Sequence, residues 1–354
     1  MTASDGFAPR LLAWFDVNGR HDLPWQHPRT PYRVWLSEVM LQQTQVATVI
    51  PYFHRFVEAL PDLPALADAP LDRVLALWSG LGYYTRARNL HAAAQSCMQH
   101  HGGELPRDVE ALAALPGIGR STAAAIAAQA WSDRHAILDG NVKRVLARFH
   151  GIEGWPGAPA VEKKLWTFAQ RHVEDPALPG DRLADYTQAQ MDFGATLCTR
   201  ARPACVICPL QDDCIARIED RQDELPTPRP AKVLPQREAV VLALRDAGGR
   251  ILLQRRGPVG VWASLWSLPQ FDDEAAADRW LASYSPAADG VMWLDEVRHG
   301  FSHYHLTLRP RLHRIDAPQR IADDDSLAWV APADLASLGI PAPIRTLLNR
   351  LFED

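Results

Sequence analysis

The heptapeptide Leu115-Pro-Gly-Ile-Gly-Arg-Ser121 joins two stretches of helical periodicity. A short apolar helix is expected over 109–115, and a new helix is expected to begin directly after the Gly-Ile-Gly turn. Glycine tolerates a positive φ and a close neighbour, and the N–H groups at the start of a helix suit a phosphate oxygen. Gly117 and Gly119 are therefore candidate contacts to a phosphate group. A glycine cap between two packed helices would give the same pattern, so both interpretations stay open at this point.

Apolar residues recur at helical spacing on both sides of this turn, from about residue 31 to about residue 215. One helix is expected to run from Val34 through Gln45 and to stop at Pro51, and others to cover 71–78, 92–98, 123–130, 142–149, 166–173 and 184–191. A charged, proline-rich stretch at 219–235 predicts a linker. Beyond it the period becomes that of strands, at 239–244, 251–254 and 300–308, with a hairpin signal at Asp246-Ala-Gly-Gly. An all-helical region therefore precedes a smaller α/β domain.

Length and composition set the broad class. The 354 residues suit two or three domains, and 47% apolar with 22% charged residues is typical of a soluble globular protein. No run of about eighteen apolar residues occurs, so no membrane span is expected. The first twelve residues lack the layout of a signal peptide, and we therefore expect a cytoplasmic protein.

The net charge of −5 does not by itself indicate a nucleic-acid partner. Four stretches, however, contain no aspartate or glutamate: 73–103, 111–132, 140–152 and 193–211. Basic patches of this kind could hold a polyanion, although chance clustering explains them equally well. The basic residues in these stretches are Arg73, Arg86, Arg88, Arg120, Lys143, Arg144, Arg148, Arg200 and Arg202.

Four of the five cysteines, Cys198, Cys205, Cys208 and Cys214, follow the spacing C-x6-C-x2-C-x5-C. Thiols this dense in a chain without a sign of secretion indicate a metal site rather than disulfides. The softness of the ligands permits either a zinc ion or a [4Fe–4S] cluster. Cys97 stands apart in an alanine-rich helical stretch and is interpreted as a buried structural thiol.

Two carboxylates, Glu38 and Asp139, lie on or directly before predicted helices. Glu38 lies on the predicted helix, where Gln42 and Gln45 would share its face beside Trp35. A glutamate next to aromatic residues can be desolvated, which raises its pKa as a general acid requires; a solvent-facing glutamate is the alternative. Asp139 directly precedes a basic amphipathic helix, where an aspartate is most commonly a helix cap.

In this order, the motifs resemble the MutY family of the helix-hairpin-helix (endonuclease III) superfamily. The resemblance extends from Leu11 to Cys214 and includes Gly80-Leu-Gly-Tyr-Tyr84. It implies an α + α/β multidomain protein, in which the four cysteines hold a [4Fe–4S] cluster. The implied domains are a helical glycosylase core at 1–225, a linker at 226–236 and a smaller Nudix-like α/β domain at 237–354. Within the core, a six-helix barrel would occupy about 27–134, and a cluster subdomain 1–26 with 135–225.

The same resemblance implies a monofunctional glycosylase of base excision repair. Its substrate would be adenine opposite 8-oxoguanine or guanine in double-stranded DNA, and the protein would act as a monomer. Glu38 would protonate the flipped adenine, Asp139 would stabilise the sugar cation, and Asn141 would orient Asp139 or the attacking water. Residues implied to line the adenine pocket are Trp25, Gln188 and Ser121, and those implied to contact DNA are Gln43, Tyr83, Gly117, Gly119 and Lys143.

Ser121 distinguishes this reading from its main alternative, an endonuclease III-like glycosylase/lyase acting on oxidised pyrimidines. That lyase carries a lysine directly after Gly-x-Gly-Arg, and the lysine amine attacks the sugar to form a Schiff base. A serine hydroxyl cannot form that intermediate, so the sequence favours a glycosylase without lyase activity. His21 and Gln26 stand where some relatives place arginines near Trp25. Contacts made by those arginines are therefore not expected here.

The C-terminal part resembles the MutT (Nudix) fold over Val240–Pro269. A Nudix hydrolase binds Mg²⁺ through a Gly-x5-Glu-x7-Arg-Glu-x2-Glu-Glu cassette, and 271–290 lacks the Arg-Glu-x-x-Glu-Glu part. We therefore expect recognition rather than hydrolysis. Phe301-Ser302-His303 matches the Phe-Ser-His loop of the family, which implies recognition of 8-oxoguanine. The alternation of Phe301, His303 and His305 also fits an ordinary strand.

Overall fold

The computed structural model describes residues 6–231, 233–284, 289–315 and 326–353, without the side chains of 289, 290 and 353. It divides into two compact units, 1–67 with 92–231 and 68–91 with 232–354. Every helix in the described ranges is too short or too polar to cross a membrane. The helices before the linker are α1 Phe7–Asn18, α2 Pro31–Leu41, α3 Val46–Ala59, α4 Leu63–Asp68, α5 Leu71–Leu77, α6 Thr85–His100, α7 Val109–Ala114, α8 Arg120–Trp131, α9 Gly140–Phe149, α10 Pro159–Val173, α11 Leu183–Thr196 and α12 Ile215–Ile218.

Helix α11 lies at the centre of the first unit, where it packs against α1, α8 and α9. Its Tyr186 and Phe193 are buried with Leu11, Leu146 and Phe149 in one apolar core. Gly194 allows the close packing of α9 and α11, because a Cβ at this position would lie 2.5 Å from the Cβ of Asn141. A side chain at residue 194 would therefore push the start of α9 away from α11.

The turn at 115–121 has the predicted structure. Helix α7 ends at Ala114, Gly117 has a φ of 77°, and α8 begins at Arg120. The space where a Cβ of Gly119 would lie is open, and no side chain caps the N-terminus of α8. The turn therefore leaves room for a partner to approach the first N–H groups of α8.

The continuous helix predicted from Val34 to Pro51 is wrong. Helix α2 ends at Leu41, Gln43 has a φ of 58°, and α3 begins at Val46 with Pro51 in its interior. The proline removes one hydrogen bond to the carbonyl of Ala47, and both residues are exposed, so water can satisfy that carbonyl. Gln42 and Gln45 consequently lie in a connecting segment and not on the helical face of Glu38.

The second unit contains a mixed sheet whose main path runs β3-β2-β1-β7-β5. The long central pair, β1 and β7, is parallel, and the other pairs are antiparallel. Buried residues of α14 pack on one side of the sheet and those of α13 on the other. The elements are β1 Gln236–Asp246, β2 Ile251–Arg255, β3 Trp266–Ser267, β4 Gln270–Phe271, α13 Glu274–Tyr284, β5 Asp289–Trp293, β6 Val297–Gly300, β7 His305–Ile315, β8 Leu327–Val330 and α14 Ala342–Glu353.

The predicted hairpin at Asp246 is present, since β1 and β2 pair and Asp246 N–H donates to the Arg250 carbonyl at 3.0 Å. The single strand predicted over 300–308 is wrong. Strand β6 ends at Gly300 and β7 begins at His305, so 301–304 form a turn, in which Phe301 N–H donates to the carbonyl of Tyr304 at 2.8 Å. Of the stretch 271–290, in which the Nudix cassette was sought, 285–288 lie outside the described residues.

Residues 68–91 belong to the same unit as the sheet. Arg255 forms an ion pair with Asp72 at 2.9 Å, and the Tyr84 hydroxyl donates to the carbonyl of Ile340 at 2.9 Å. Close packing accompanies these polar contacts, because a Cβ on Gly339 would lie 2.7 Å from that of Leu75. The loop that carries Tyr83 is therefore built together with the C-terminal sheet.

Candidate active site

A cavity of about 860 Å³ lies within the first unit. Its walls come from α2, the segment between α2 and α3, the start of α8, the start of α9, and α11. The structure brings together at this cavity every residue predicted to be catalytic or to line an adenine pocket, along with Gln43. These lining residues are Trp25, Glu38, Gln43, Ser121, Asp139, Asn141 and Gln188.

Glu38 projects from α2 and is half-buried at the cavity wall. Burial raises the pKa of its carboxyl to about 7, and the charge of Asp139 adds to the rise. Gln129 opposes it by donating from Nε2 to Glu38 Oε1 at 2.7 Å, a bond that favours the ionised form. A carboxyl with this pKa carries a proton in a large fraction of molecules near neutral pH, as a general acid must.

Asp139 is the N-cap of α9. Its Oδ1 accepts from Val142 N–H at 2.8 Å, and its Oδ2 accepts from the Asn141 side-chain amide at 3.3 Å. Burial raises the pKa of this carboxyl, while the same hydrogen bonds and the charge of Arg144 lower it. The helix start thus holds Asp139 rigidly beside the cavity, with donors that stabilise its ionised form.

Arg144 connects the start of α9 to the cysteine loop. Its guanidinium donates to Asn141 Oδ1 at 2.9 Å, to the Gly194 carbonyl at 2.6 Å and to the Cys198 carbonyl at 2.8 Å. One helical turn later, Arg148 donates to the Thr199 carbonyl at 2.7 Å and approaches Cys198 Sγ at 3.4 Å. Two arginines of α9 therefore fix the cysteine loop to the helix that begins at Asp139.

Ser121 lies in the first turn of α8 and lines the cavity. Its Oγ accepts from Leu138 N–H at 2.8 Å, one residue before Asp139. The hydroxyl therefore supports the strand-like approach to Asp139, and the residue brings no amine to the cavity.

Trp25 and Gln188 are almost fully buried, at 2% and 4% exposure. Trp25 packs edge-on against Phe53 with the ring centroids 5.4 Å apart. Gln188 Nε2 donates to Asp192 Oδ1 at 2.8 Å, one turn along α11. The cavity therefore combines a rigid apolar surface with an amide in a fixed position, as a site for a purine needs.

The residues predicted to contact DNA are exposed, apart from Lys143, which is partly buried. Gln43 and Tyr83 both have positive φ values, 58° and 49°, and the Tyr83 side chain is 53% exposed. Lys143 forms an ion pair with Glu162 at 2.6 Å. A phosphate contact by Lys143 would consequently have to compete with Glu162.

The four cysteines of the predicted cluster loop line one small cavity, together with Arg148 and Arg217. Within the described chain, no three histidine, cysteine, aspartate or glutamate side chains are grouped so that they could hold a metal ion. Burial and the neighbouring thiols raise the pKa of Cys208 to about 12, and the same causes raise the pKa values of Cys205 and Cys214. Four soft donors around one cavity are the ligand chemistry that an iron–sulfur group requires, although the described thiols are not grouped as they would be around a bound metal.

Phe301, Ser302 and His303 occupy the turn between β6 and β7, and Ser302 and His303 are exposed. The Phe301 ring lies 4.6 Å from that of His299 and 5.4 Å from that of Trp262. The turn therefore exposes a serine and a histidine, and the aromatic side chains of Phe301, His299 and Trp262 pack beneath it.

Three side chains that shape the cavity were not predicted: Arg20, Gln129 and Asp192. Arg20 lines the cavity and binds Asp192 through its guanidinium and its backbone N–H, whereas neither His21 nor Gln26 is among the described lining residues. Gln129 gave no signal in the sequence, since its partner Glu38 is 91 residues away. Asp192 did give one, because it is four residues after Gln188 and so on the same helical face.

Two family models match the chain. The helix-hairpin-helix model for superfamily base excision DNA repair proteins (HhH-GPD) matches 36–171, and the NUDIX domain model matches 240–350. A solved thermostable thymine-DNA glycosylase matches 60% of this chain and 95% of its own at 27% identity, with a TM-score of 0.54. The class is therefore a helix-hairpin-helix repair protein followed by a Nudix-like domain, which confirms the predicted fold class.

Relatives of similar length identify the family. Adenine DNA glycosylase from Buchnera aphidicola subsp. Acyrthosiphon pisum is 36% identical over 97% of both chains, and the Mus musculus enzyme is 35% identical over 98% of this chain and 78% of its own. The chain belongs to the adenine DNA glycosylase family. The predicted family and enzyme class are thereby confirmed, and the endonuclease III-like alternative is less well supported.

Proposed function

We propose that the cavity of the first unit binds a flipped adenine whose partner in the duplex is 8-oxoguanine or guanine, and that Glu38 and Asp139 cleave its N-glycosidic bond. The observation that carries the proposal is the meeting of two unlike carboxyls in one cavity. Burial raises the pKa of both carboxyls, that of Glu38 to about 7. One donor, Gln129, opposes the rise at Glu38, whereas the donors Val142 N–H and the Asn141 amide and the charge of Arg144 oppose it at Asp139. The pair matches the division of labour between a general acid and a charge stabiliser.

In this mechanism the adenine first leaves the base stack, at a cost of about a few kcal/mol. Glu38 donates its proton to N7 of adenine, the bonding electrons move from the glycosidic bond into the ring, and neutral adenine departs. The cation left on the sugar is stabilised by the Asp139 carboxylate. Water then adds to the sugar and gives up a proton to the Glu38 carboxylate, which restores the acid, with Asn141 orienting Asp139 or that water.

The reaction would end at an abasic site, because Ser121 cannot form a Schiff base with the sugar. Trp25, Gln188 and Ser121 would line the adenine pocket. On the DNA side, Gln43 and Tyr83 would insert at the lesion, while Gly117, Gly119 and Lys143 would hold the backbone. Gln43 and Tyr83 are both exposed, and the N-terminus of α8 is open to a phosphate.

Cys198, Cys205, Cys208 and Cys214 would hold a [4Fe–4S] cluster. When bound, the cluster supplies a redox-active inorganic centre and a covalent cross-link of the loop. The chain's own contribution is to position the loop, because Arg144 and Arg148 bind its carbonyls from α9. These contacts connect the loop to the start of α9 directly.

The turn at Phe301, Ser302 and His303 would recognise 8-oxoguanine, and the Nudix-like domain would act in recognition rather than hydrolysis. The organisation proposed from the sequence is a glycosylase core at 1–225, with its barrel at about 27–134 and its cluster subdomain at 1–26 and 135–225, although residues 68–91 of that barrel group with the C-terminal unit. A linker at 226–236 and the recognition domain at 237–354 would follow. We expect a monomer that acts on DNA in the cytoplasm.

Single-turnover incubation with matched duplexes tests the activity. One duplex has adenine opposite 8-oxoguanine, a second has adenine opposite guanine, and a control has adenine opposite thymine. Expected is an alkali-labile site at the adenine of the first two duplexes only. Strand breaks without alkali would support the lyase alternative, and binding without base release would contradict the assignment of the carboxylates.

A further inference from the structure

The Asp192 carboxylate is among the most buried polar groups of the chain, at 1% exposure. It accepts from the backbone N–H of Arg20 at 2.8 Å, from Arg20 Nε at 2.9 Å and from Arg20 Nη2. Its fourth donor is Gln188 Nε2 at 2.8 Å. Both Arg20 and Gln188 line the cavity, whereas Asp192 lies behind them.

This arrangement fixes which end of the Gln188 amide can face the cavity. A carboxylate bound to a guanidinium only accepts hydrogen bonds, so Gln188 must turn its NH2 group toward Asp192. The amide oxygen, Oε1, has no hydrogen-bond partner among the described residues. Gln188 therefore presents a hydrogen-bond acceptor, Oε1, to the cavity, while its donor group stays bound to Asp192.

We propose that Asp192 is a positioning residue that sets the base specificity of the cavity through Gln188. With its oxygen fixed, Gln188 accepts from an amino group at C6 of a purine and opposes a carbonyl there. Adenine carries that amino group, whereas hypoxanthine carries a carbonyl. This inference rests on the proposed function, namely that the cavity binds the flipped base.

Arg20 supports the same arrangement. Its guanidinium compensates the charge of the buried Asp192 carboxylate, which would be costly without a partner. The backbone N–H of Arg20 also binds Asp192, which ties the loop before α2 to α11.

The size of the effect follows from the mismatch. In hypoxanthine the C6 carbonyl would face Gln188 Oε1, so two acceptors would meet in a buried site without a donor. The resulting preference for adenine over hypoxanthine is on the order of tenfold or more. Base release is measured in two single-turnover reactions. One uses a duplex with adenine opposite 8-oxoguanine, and the other uses the same duplex with hypoxanthine in place of adenine. The ratio of the two rates is the measure of specificity, because a loss of folded protein affects both substrates alike.

The decisive variant is Asp192→Asn. The asparagine NH2 group conflicts with the donors of Arg20 and releases Gln188, whose amide can then present either end to the cavity. We expect wild type to prefer adenine by about tenfold or more and Asp192→Asn to reduce that preference to about threefold or less. A preference that stays at the wild-type value in Asp192→Asn would overturn the proposal, as would a wild type without preference.

A double-mutant cycle with Gln188→Met separates positioning from a general structural effect. If Asp192 acts through Gln188, then Gln188→Met alone removes the preference and Asp192→Asn changes the ratio no further in that background. An equal change in both backgrounds would overturn the proposal. Should Asp192→Asn fail to fold, Gln188→Met still decides, because a retained preference in that variant excludes Gln188 as the selecting group.

Asp246→Asn is the matched control. Asp246 is also buried, at 7% exposure, and accepts from Arg250 Nε at 2.7 Å and Arg250 N–H at 2.8 Å, but it lies in the β1–β2 turn of the second unit. We expect a lower Tm and an unchanged ratio. Absence of adenine release by wild type would overturn the proposed function itself, a result distinct from wild-type release with an unaltered ratio in Asp192→Asn.

Discussion

The cavity of the first unit and the turn at Phe301-Ser302-His303 in the second are both proposed to meet a purine, yet they are built in opposite ways. In the cavity, Trp25 and Gln188 are almost fully buried and the carboxyls of Glu38 and Asp139 have raised pKa values. In the turn, Ser302 and His303 are exposed. The cavity is lined by buried polar groups in fixed positions, whereas the turn is short, exposed and packed on aromatic side chains.

The difference reflects what each region would have to do. Breaking a glycosidic bond requires a proton and a stabilising charge at defined positions, and both effects are stronger where water is excluded. Recognising a base in DNA requires only complementary hydrogen bonds, which an exposed turn can make and release. Substitutions in the cavity should therefore affect the rate by orders of magnitude, and substitutions in the turn should affect only the choice of partner base.

The largest effect is expected from Glu38→Gln. The amide keeps the size of the side chain and can still accept from Gln129, but it has no acidic proton for adenine. General acid catalysis contributes about 10²–10⁴-fold, and we expect single-turnover adenine release to fall by an amount in this range. Binding of the uncleaved duplex, measured by fluorescence anisotropy, should stay within a few-fold of wild type. A rate within tenfold of wild type would remove Glu38 from the role of acid.

Asp139→Asn should have the next largest effect. Loss of one preorganised electrostatic group costs about 10²–10³-fold in rate. Asparagine caps helices as well as aspartate does, so the thermal unfolding midpoint should change little. Asp108→Asn is the matched control, because Asp108 caps α7 in the same way, accepting from Ala111 N–H at 2.8 Å. Equal rate losses in the two variants would show that Asp139 acts only as a cap.

Local features of the fold were predictable from the sequence because short-range rules govern them. The turn around Gly117 and the cap at Asp139 depend on neighbouring residues alone, and both have the expected structure. The break between α2 and α3 was not predicted, since Gln42-Gln-Thr-Gln45 contains neither glycine nor proline. Pro51 gave a false stop signal, because the hydrogen bond that it removes lies on an exposed face of α3.

The same distinction between short-range and long-range contacts applies to the candidate site. The residues supplied by the family resemblance, among them Glu38, Asp139 and Gln188, line one cavity. The partners that set their state were not predicted, because these contacts join distant parts of the chain. Gln129 meets Glu38 across 91 residues, and Arg20 meets Asp192 across 172. No periodicity or local motif carries information of that range, so these contacts appear only once the helices are packed.

The pH dependence of adenine release tests the protonation of Glu38. Its pKa of about 7 means that the acidic form is lost as the pH rises through that value, so the single-turnover rate should fall on the alkaline side. Gln129→Leu removes the hydrogen bond that favours the ionised form, and the pKa of Glu38 should rise further. The alkaline limb of the pH–rate profile should then move to higher pH.

Gln190→Leu is the control for this shift, because Gln190 is a buried glutamine that is not among the described residues lining the cavity. Its profile should keep the wild-type limb. A limb that moves to lower pH in Gln129→Leu, or does not move, would show that another group sets the alkaline limit. The raised pKa of Glu38 would then not be what distinguishes the cavity from the exposed turn.

The smallest effect is expected in the turn, from Ser302→Ala. One neutral hydrogen bond contributes about 0.5–1.5 kcal/mol, which corresponds to a change of about two- to twelvefold. We expect the preference for adenine opposite 8-oxoguanine over adenine opposite guanine to fall by that factor, with the rate on the guanine duplex unchanged. Ser283→Ala, which removes an exposed serine hydroxyl from α13 in the same unit, should leave the preference intact. A Ser302→Ala variant that slows both duplexes equally would mean that the turn contributes to binding or stability and does not read the partner base.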